Sequence, residues 1–206
     1  MKFIALILAA AIVVIFLLQM TISGFTEFML LIPASFSGYE IITHMFIHAD
    51  YTHLFYNLFA LALFGTILNN VIGDKRFVIL FVIAGLIAGV SAFIFYADSS
   101  VLGASGAIMG IMGTLGVLRP KMTVWVIGAP MPMIAAVAVY AFIDLAGLIG
   151  GSQGIANGAH LFGLIAGIVY GFFLRSKHKL QESKKTKYTV VHIGDKEMHS
   201  WEDKWF

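Results

Sequence analysis

The chain of 206 residues contains no cysteine, and only 12% of its residues are charged. The absence of cysteine excludes disulfides and thiol chemistry. A typical soluble domain has about 25% charged residues, so this chain is poor in the groups that solvate a surface. Its net charge of +2 gives no basis for a nucleic-acid partner. The scarcity of charge, with a mean hydropathy of +0.92, indicates an integral membrane protein in a lipid bilayer.

Long apolar runs fill most of the chain. A helix needs about 20 mostly apolar residues to span a bilayer. The runs predict an all-α membrane protein, a bundle of six transmembrane helices within residues 1–175: Phe3–Met20, Tyr51–Val71, Phe77–Tyr96, the shorter Ser105–Leu118, Met131–Ile149 and Asn157–Leu174. The first run could instead be a signal peptide, but its apolar core is longer than the usual length of about 7–15 residues.

The basic residues indicate how this bundle is oriented. All 13 of them fall on one side of a six-span arrangement, at the N-terminus, in alternate connections or after the last span. Lysine and arginine are enriched in cytoplasmic loops. We therefore expect both termini in the cytoplasm, a multi-pass protein of the cell membrane, and a cytosolic polar tail over residues 176–206.

The fourth run is too short to cross the membrane. Its 14 residues from Ser105 span about 21 Å, whereas the hydrocarbon core is about 30 Å thick. Ser105 is therefore expected about 9 Å below the outer surface, at the start of a short central helix. A hydroxyl at that depth needs a hydrogen-bond partner.

Other polar residues are expected at a similar depth. His160 lies 15 residues before Arg175, which places it about 22 Å above the inner boundary, level with Ser105 to within a turn. His53 and Asn57 are four residues apart and share one helix face, about one turn shallower. A serine, two histidines and an asparagine therefore converge in the outer third of the membrane.

Glycine stripes suggest how the fourth and sixth helices meet. Gly106, Gly110 and Gly113 lie along one helix, and His160, Gly163 and Gly167 share a stripe on the other. Small residues at such spacings let two helices approach closely in lipid. This packing would bring His160 towards Ser105.

Each of these residues also admits a purely structural interpretation. Ser105 could be a helix N-cap, and His160 could be a core histidine bonded to a carbonyl. Asp144 could be the acid of a catalytic triad, but a capping carboxylate at the membrane interface is the favoured interpretation. His44, His48 and His53 do not have the spacing or the carboxylate of a common zinc motif, so no metal site and no cofactor are predicted.

Three segments together resemble the rhomboid family of intramembrane serine proteases. They are THMFIHADYTHLFYN (43–57), GASGAIMG (103–110) and ANGAHLFGLIAG (156–167). They occur in the family's order and spacing, on the expected helices. The resemblance covers all six spans.

The resemblance implies an intramembrane serine endopeptidase that cleaves transmembrane segments of other proteins. Ser105 would be the nucleophile and His160 its general base, in a dyad without a third acid. The Ser105 N–H, His53 and Asn57 would form the oxyanion hole. His44 and His48 would brace the first loop. Gly103, Gly106, Gly163 and Gly167 are expected to be structural residues around the site.

Two positions depart from the family's pattern. Tyr39 and Glu40 stand where many relatives carry a Trp-Arg pair. Met109 stands where some relatives place an aromatic ring against the catalytic histidine, although a thioether can also pack on an imidazole.

Two other functions compete with proteolysis. A catalytically inactive rhomboid-like protein would bind membrane clients without cutting them. A transporter would instead predict broken helices around a site at the midplane, and some internal symmetry. The sequence does not fix the substrate or the oligomeric state.

Overall fold

The computed structural model describes residues 3–126, 128–151 and 156–187, with side chains as far as residue 176. Contacts divide the chain into two compact units, residues 1–172 and 173–206. The first unit contains the helices that carry every predicted site residue. The last 19 residues of the predicted tail lie outside the described part.

Five helices are long and apolar enough to cross a membrane. They are α1 (Ile4–Thr21), α4 (Tyr51–Ile72), α5 (Asp74–Phe95), α7 (Met133–Gly150) and α8, which starts at Asn157 and continues to Lys187. Helix α6 (Ser105–Leu118) is apolar but has only 14 residues. These helices lie at the predicted positions to within a few residues, except that α8 continues 13 residues beyond its predicted end at Leu174, into the predicted tail. The chain is thus a multi-pass membrane protein, with five helices of spanning length and one short apolar helix among the described residues.

The short helix α6 occupies the centre of the bundle. All of its residues are buried except Ser105 and Leu118. Four glycines on α6 leave room for neighbouring helices, and the helix packs against α4, α5, α7 and α8. A short helix can be this buried because its backbone groups bond along the helix and protein, rather than lipid, surrounds it.

The strictly all-α prediction is wrong for the segment between α6 and α7. Strands β1 (Thr123–Val126) and β2 (Ala129–Pro132) form an antiparallel hairpin that pairs Thr123 with Pro132. The sequence TVWV has the β-branched and aromatic residues that favour a strand. Because β2 ends at Pro132, α7 begins at Met133, two residues later than predicted.

A π-helical turn interrupts α4 at Leu61–Gly65. Such turns occur mostly as single bulges inside longer helices. Gly65 lies against α1 here, since a Cβ at this position would be 3.2 Å from the Cβ of Ala5. The bulge therefore coincides with the packing of α1 on α4.

The connection between α1 and α4 is compact and mostly irregular. It contains two short helices, α2 (Phe25–Met29) and α3 (Glu40–Thr43), and single 3₁₀ turns at Pro33–Ser35 and His44–Phe46. Phe28 and Tyr39 stack with their ring centroids 4.9 Å apart, and the buried Glu40 carboxylate accepts the N–H of Ser37. Tyr39 and Glu40 thus brace this loop.

Candidate active site

Ser105 is the first residue of α6. Ala104 precedes it in the N-cap position, and no side chain caps this helix. The predicted alternative that Ser105 is itself the N-cap is therefore wrong. The first N–H groups of a helix have no partner within it and form its positive end. Ser105 thus combines a partly exposed side chain with a backbone N–H at a helix start.

The loop before Ser105 is tied to the connection between α1 and α4. Leu31 and Val101 exchange backbone hydrogen bonds, and the N–H of Gly103 donates to the carbonyl of His44 over 2.8 Å. Leu31 and Val101 also belong to a buried apolar cluster with Ala88, Ala92 and Ala159. The approach to Ser105 is therefore fixed from two sides.

His44 acts as a brace in this arrangement. Its ring Nδ1 lies 2.8 Å from the carbonyl oxygen of Glu40. The ring packs on α5 at Gly89, where a Cβ would be 2.8 Å from the His44 Cε1. Burial lowers the pKa of His44, so the ring is neutral near pH 7. A neutral Nδ1–H can donate to the Glu40 carbonyl.

Gly103 presses against the imidazole of His53. Its φ of +109° suits glycine, and a Cβ there would be 2.7 Å from the His53 Cε1. His53 stands in the first turn of α4, where its N–H donates to the carboxylate of Asp50. One turn later, the Asn57 Nδ2 donates to the carbonyl of His53 over 2.9 Å. The structure thus brings His53 against the loop that leads to Ser105.

The glycine-mediated approach of α6 and α8 is present as predicted. A methyl group on Gly163 would collide with the carbonyl oxygen of Gly106, and one on Gly167 with that of Gly110. Thr114 adds a bond across the same interface, since its hydroxyl donates to the carbonyl of Gly167 over 2.8 Å. The two backbones are therefore in direct contact along this face.

This crossing brings together the chain segments that carry Ser105 and His160. Gly106 follows Ser105, and a Cβ on Gly106 would lie 3.4 Å from the carbonyl oxygen of Ala159, which precedes His160. The start of α8 is also fixed to the end of α5, because the N–H of Gly158 donates to the Tyr96 hydroxyl over 2.8 Å. His160 is partly buried, with 20% of its side chain exposed.

Asp144 on α7 forms a hydrogen bond with His160. The Asp144 Oδ1 lies 2.9 Å from the His160 Nδ1, and Asp144 is 4% exposed. The favoured interpretation of Asp144 as an interfacial cap is therefore wrong, since this carboxylate lies in the interior of α7 and faces a histidine. A depth count from the helix ends places Asp144 and His160 at a similar level, within about two turns of the connection between α7 and α8, but it does not show that they face each other.

His48 lies between the candidate site and a cavity. Gln19 on α1 bonds to both backbone groups of His48, at 3.0 Å and 3.1 Å. The His48 ring is 1% exposed and meets the His53 ring edge to face, with centroids 5.0 Å apart. Its two ring nitrogens have no hydrogen-bond partner among the described residues.

The cavity beside His48 has a volume of about 320 Å³. Its lining combines polar and aromatic residues: Phe16, Gln19, Met20, Thr26, His48, Ala49, Asp50 and Tyr51. It is large and polar enough to hold several water molecules. His48 lines the cavity and contacts His53, which packs against Gly103. The His48 ring therefore separates the cavity from His53.

Two other predictions concern Met109 and metals. Met109 is buried one turn after Ser105, as part of the packed face of α6. Its contact with an imidazole stays a prediction. Among the residues that the structure describes, no group of three or more histidines and carboxylates is placed to hold a metal ion.

The fold and site together define a membrane-embedded helical bundle with histidines around the start of its short central helix. The family model described as the rhomboid domain matches residues 35–177. The chain belongs to the rhomboid family.

Curated relatives carry the same family name. The chain is 33% identical to RHOMBOID-like protein 6, mitochondrial, of Arabidopsis thaliana over 137 residues, which are 66% of this chain and 43% of that one. It is 30% identical to Rhomboid-like protease 5 of Toxoplasma gondii, over 68% of this chain and 17% of the relative. It is 27% identical to the putative rhomboid protease YdcA of Bacillus subtilis, over 68% of each chain. The chain thus spans less than half the length of the first two relatives.

Proposed function

We propose that this rhomboid is an intramembrane serine endopeptidase that cleaves transmembrane segments of other membrane proteins. The crossing of α6 and α8 at Gly106 and Gly163 carries the proposal, because it joins the segments of Ser105 and His160. Relatives named as rhomboid proteases support the same reaction.

Ser105 is the nucleophile in this proposal, and His160 is its general base. A serine hydroxyl is weakly nucleophilic until a base takes its proton. The Nδ1 of His160 is engaged by Asp144, so Nε2 is the nitrogen available to Ser105. His160 accepts the proton during attack on the peptide carbonyl and then delivers it to the leaving amine.

Three donors are proposed for the oxyanion that forms during attack. The N–H of Ser105 belongs to the positive end of α6. His53 adds a ring N–H from α4. Asn57 uses one amide proton on the His53 carbonyl and keeps the other. A donor of this kind typically contributes about 3–4 kcal/mol to transition-state stabilisation.

Water is the second reactant, and it is scarce in a bilayer. The polar cavity beside His48 supplies a reservoir next to His53 in this account. A substrate helix must unwind locally to expose its peptide bond to Ser105. Substrates with small or helix-breaking residues near the cut are therefore favoured.

The membrane arrangement is part of the proposal. Six crossings with both termini in the cytoplasm place all 13 basic residues on one side. Ser105 then lies towards the outer face, and the substrates are membrane proteins cut near that face. The cell membrane is the proposed location.

A cleavage assay on the detergent-purified protein tests this function. Wild type, Ser105→Ala and His160→Ala are incubated with a fluorogenic transmembrane peptide that has small residues near its outer end. Ser100→Ala, an exposed serine five residues earlier, is the matched control. We expect cleavage by wild type and by Ser100→Ala, and none by the other two.

The competing function, binding of membrane proteins without cleavage, predicts that wild type does not cut the peptide. A folded wild-type protein that binds the peptide but does not cut it would favour an inactive, client-binding rhomboid. Cleavage that survives Ser105→Ala would exclude Ser105 as the nucleophile.

A further inference from the structure

The geometry points to Asp144 as a third member of the catalytic site, a positioning residue that orients His160 and stabilises its protonated form. This inference rests on the proposed protease function and changes its mechanism from a dyad to a triad. It depends on the hydrogen bond of 2.9 Å between Asp144 Oδ1 and His160 Nδ1.

A second contact between α7 and α8 supports the hydrogen bond between Asp144 and His160. The Asn157 side chain lies against Gly147, where a Cβ would be 2.6 Å from the Asn157 Nδ2. Gly147 follows Asp144 by three residues, and Asn157 precedes His160 by three. Two contacts, each one helical turn from the other, fix the crossing of α7 and α8 at this point.

A carboxylate on Nδ1 determines which nitrogen of the neutral imidazole carries its proton. An ionised carboxylate only accepts hydrogen bonds, so Nδ1 must be the protonated nitrogen. Nε2 then has a free lone pair, as the general base for Ser105 requires. Asp144 thus selects the reactive tautomer and fixes the ring orientation.

The same contact becomes stronger during the reaction. Asp144 is buried, and its Oδ2 has no hydrogen-bond partner among the described residues. A buried carboxylate with a single neutral partner is costly, whereas one paired with an imidazolium is stabilised. Because His160 is positive only after it takes the Ser105 proton, Asp144 stabilises the transition state more than the ground state.

The proton and charge balance of this step is simple. The Ser105 proton moves to His160 Nε2 as the Ser105 oxygen bonds to the peptide carbon, whose oxygen becomes the oxyanion. The Nδ1 proton stays on Nδ1, and Asp144 stays ionised. The net charge of −1 is unchanged, and Nε2 returns its proton to the leaving amine.

Other ionisable groups lie near this pair. Tyr140 stands one turn before Asp144 on α7, within electrostatic range of its carboxylate. His53 approaches His160 from α4, within similar range. Neither replaces the Asp144 contact to Nδ1.

Steady-state kinetics on Asp144→Asn test the inference. Asparagine has nearly the same size but no charge, so we expect kcat to fall about 10- to 100-fold. KM should stay within about twofold, because the contact acts on the transition state. Asp98→Asn, which removes an exposed carboxylate from the loop before α6, should keep wild-type kinetics.

A thermal-stability cycle tests the same pair without catalysis. Asp144→Asn, His160→Ala and the double variant are compared with wild type in detergent. His160→Ala should lower Tm because it leaves the buried Asp144 carboxylate without a partner, and the effect of the double variant should differ from the sum of the two single variants. An additive result would overturn the contact itself.

Different results would overturn the protease function and the role of Asp144. A wild type that cuts the peptide, with kcat unchanged in Asp144→Asn, would overturn the role of Asp144 and leave the protease function intact. A KM increase with constant kcat would also overturn it. A folded wild type that neither cuts nor reacts with a fluorophosphonate would overturn both.

Discussion

The carbonyl oxygen of His44 accepts the N–H of Gly103 over 2.8 Å, so a histidine in the first loop holds the turn that leads to Ser105. The same glycine lies against the His53 ring. His44 and His53 therefore both contact the backbone turn at Gly103. The placement of Ser105 depends on this turn as much as on the packing of α6.

Replacing Gly103 by alanine should damage the oxyanion hole. The new methyl group meets the His53 ring, and φ at this position is +109°. We expect kcat to fall about 100-fold, as for loss of one oxyanion donor. The kcat of peptide cleavage by Gly103→Ala measures this loss.

Gly128→Ala is the matched control for this substitution. Gly128 also has a positive φ, of +76°, but nothing lies within 4 Å of the added methyl. Gly128→Ala therefore introduces backbone strain without a side-chain collision, and it should retain activity. Equal losses in both variants would mean that strain, and not the contact with His53, causes the effect.

Replacing Gly163 by alanine should separate α8 from α6. The methyl group collides with the carbonyl of Gly106, and such overpacking costs about 1–3 kcal/mol of stability. A displacement of about 1 Å between Ser105 and His160 would lower kcat about 100-fold. Tm and kcat of Gly163→Ala measure the two effects.

Gly150→Ala serves as its control, because it is a helical glycine on α7 with open space around it. It should leave both Tm and kcat close to wild type. Full activity in Gly163→Ala would contradict the proposed role of the glycine crossing.

Replacing Gln19 by leucine should loosen the loop that carries His48. Gln19 donates to the His48 carbonyl and to the Thr26 hydroxyl, and it accepts the N–H of His48. Loss of these three bonds should cost about 1–3 kcal/mol. Thermal unfolding of Gln19→Leu measures the loss. Identical Tm values for Gln19→Leu and wild type would contradict this.

Acid should destabilise the protein through His48. Burial, with a smaller contribution from His53, lowers the pKa of His48 from 6.5 to about 4. Between these two values the unfolded chain binds a proton that the folded chain does not. The free energy of unfolding therefore decreases by about 3 kcal/mol as the pH falls from 6.5 towards 4.

Unfolding measurements at pH 7, 5.5 and 4.5 test this expectation. His48→Asn removes the titrating ring, so its stability should fall less steeply than that of wild type. The remaining slope includes His44, whose pKa burial also lowers. An equal slope in both proteins would contradict the assignment to His48.

The positions of the helices follow directly from the sequence. Apolar runs of about 20 residues predict where α1, α4, α5 and α8 lie, because a single segment can satisfy its backbone within lipid only as a helix. The glycines of the short α6 also predicted its close packing on α8, which brings together the segments that carry Ser105 and His160. These features depend on the length of each apolar run, on the depth of its residues in the membrane and on the spacing of small residues. All three can be read from a single segment of sequence.

Other features depend on rotation and tertiary contact, which the sequence did not resolve. Depth alone did not show that Asp144 faces α8, since that requires the rotation of α7 about its axis. The β1–β2 hairpin was missed because its apolar residues extended the run assigned to α7 at Met131. The π turn at Leu61–Gly65 leaves no mark on hydrophobic periodicity.

The central claim is that Ser105 is an activated nucleophile, and covalent labelling tests it most directly. The detergent-purified full chain is treated with a fluorophosphonate, and the modified peptide is located by mass spectrometry. The account predicts one adduct on Ser105, absent in Ser105→Ala and strongly reduced in His160→Ala, with Ser100→Ala labelled like wild type. A folded protein that stays unlabelled, or that is labelled equally well in His160→Ala, would contradict it.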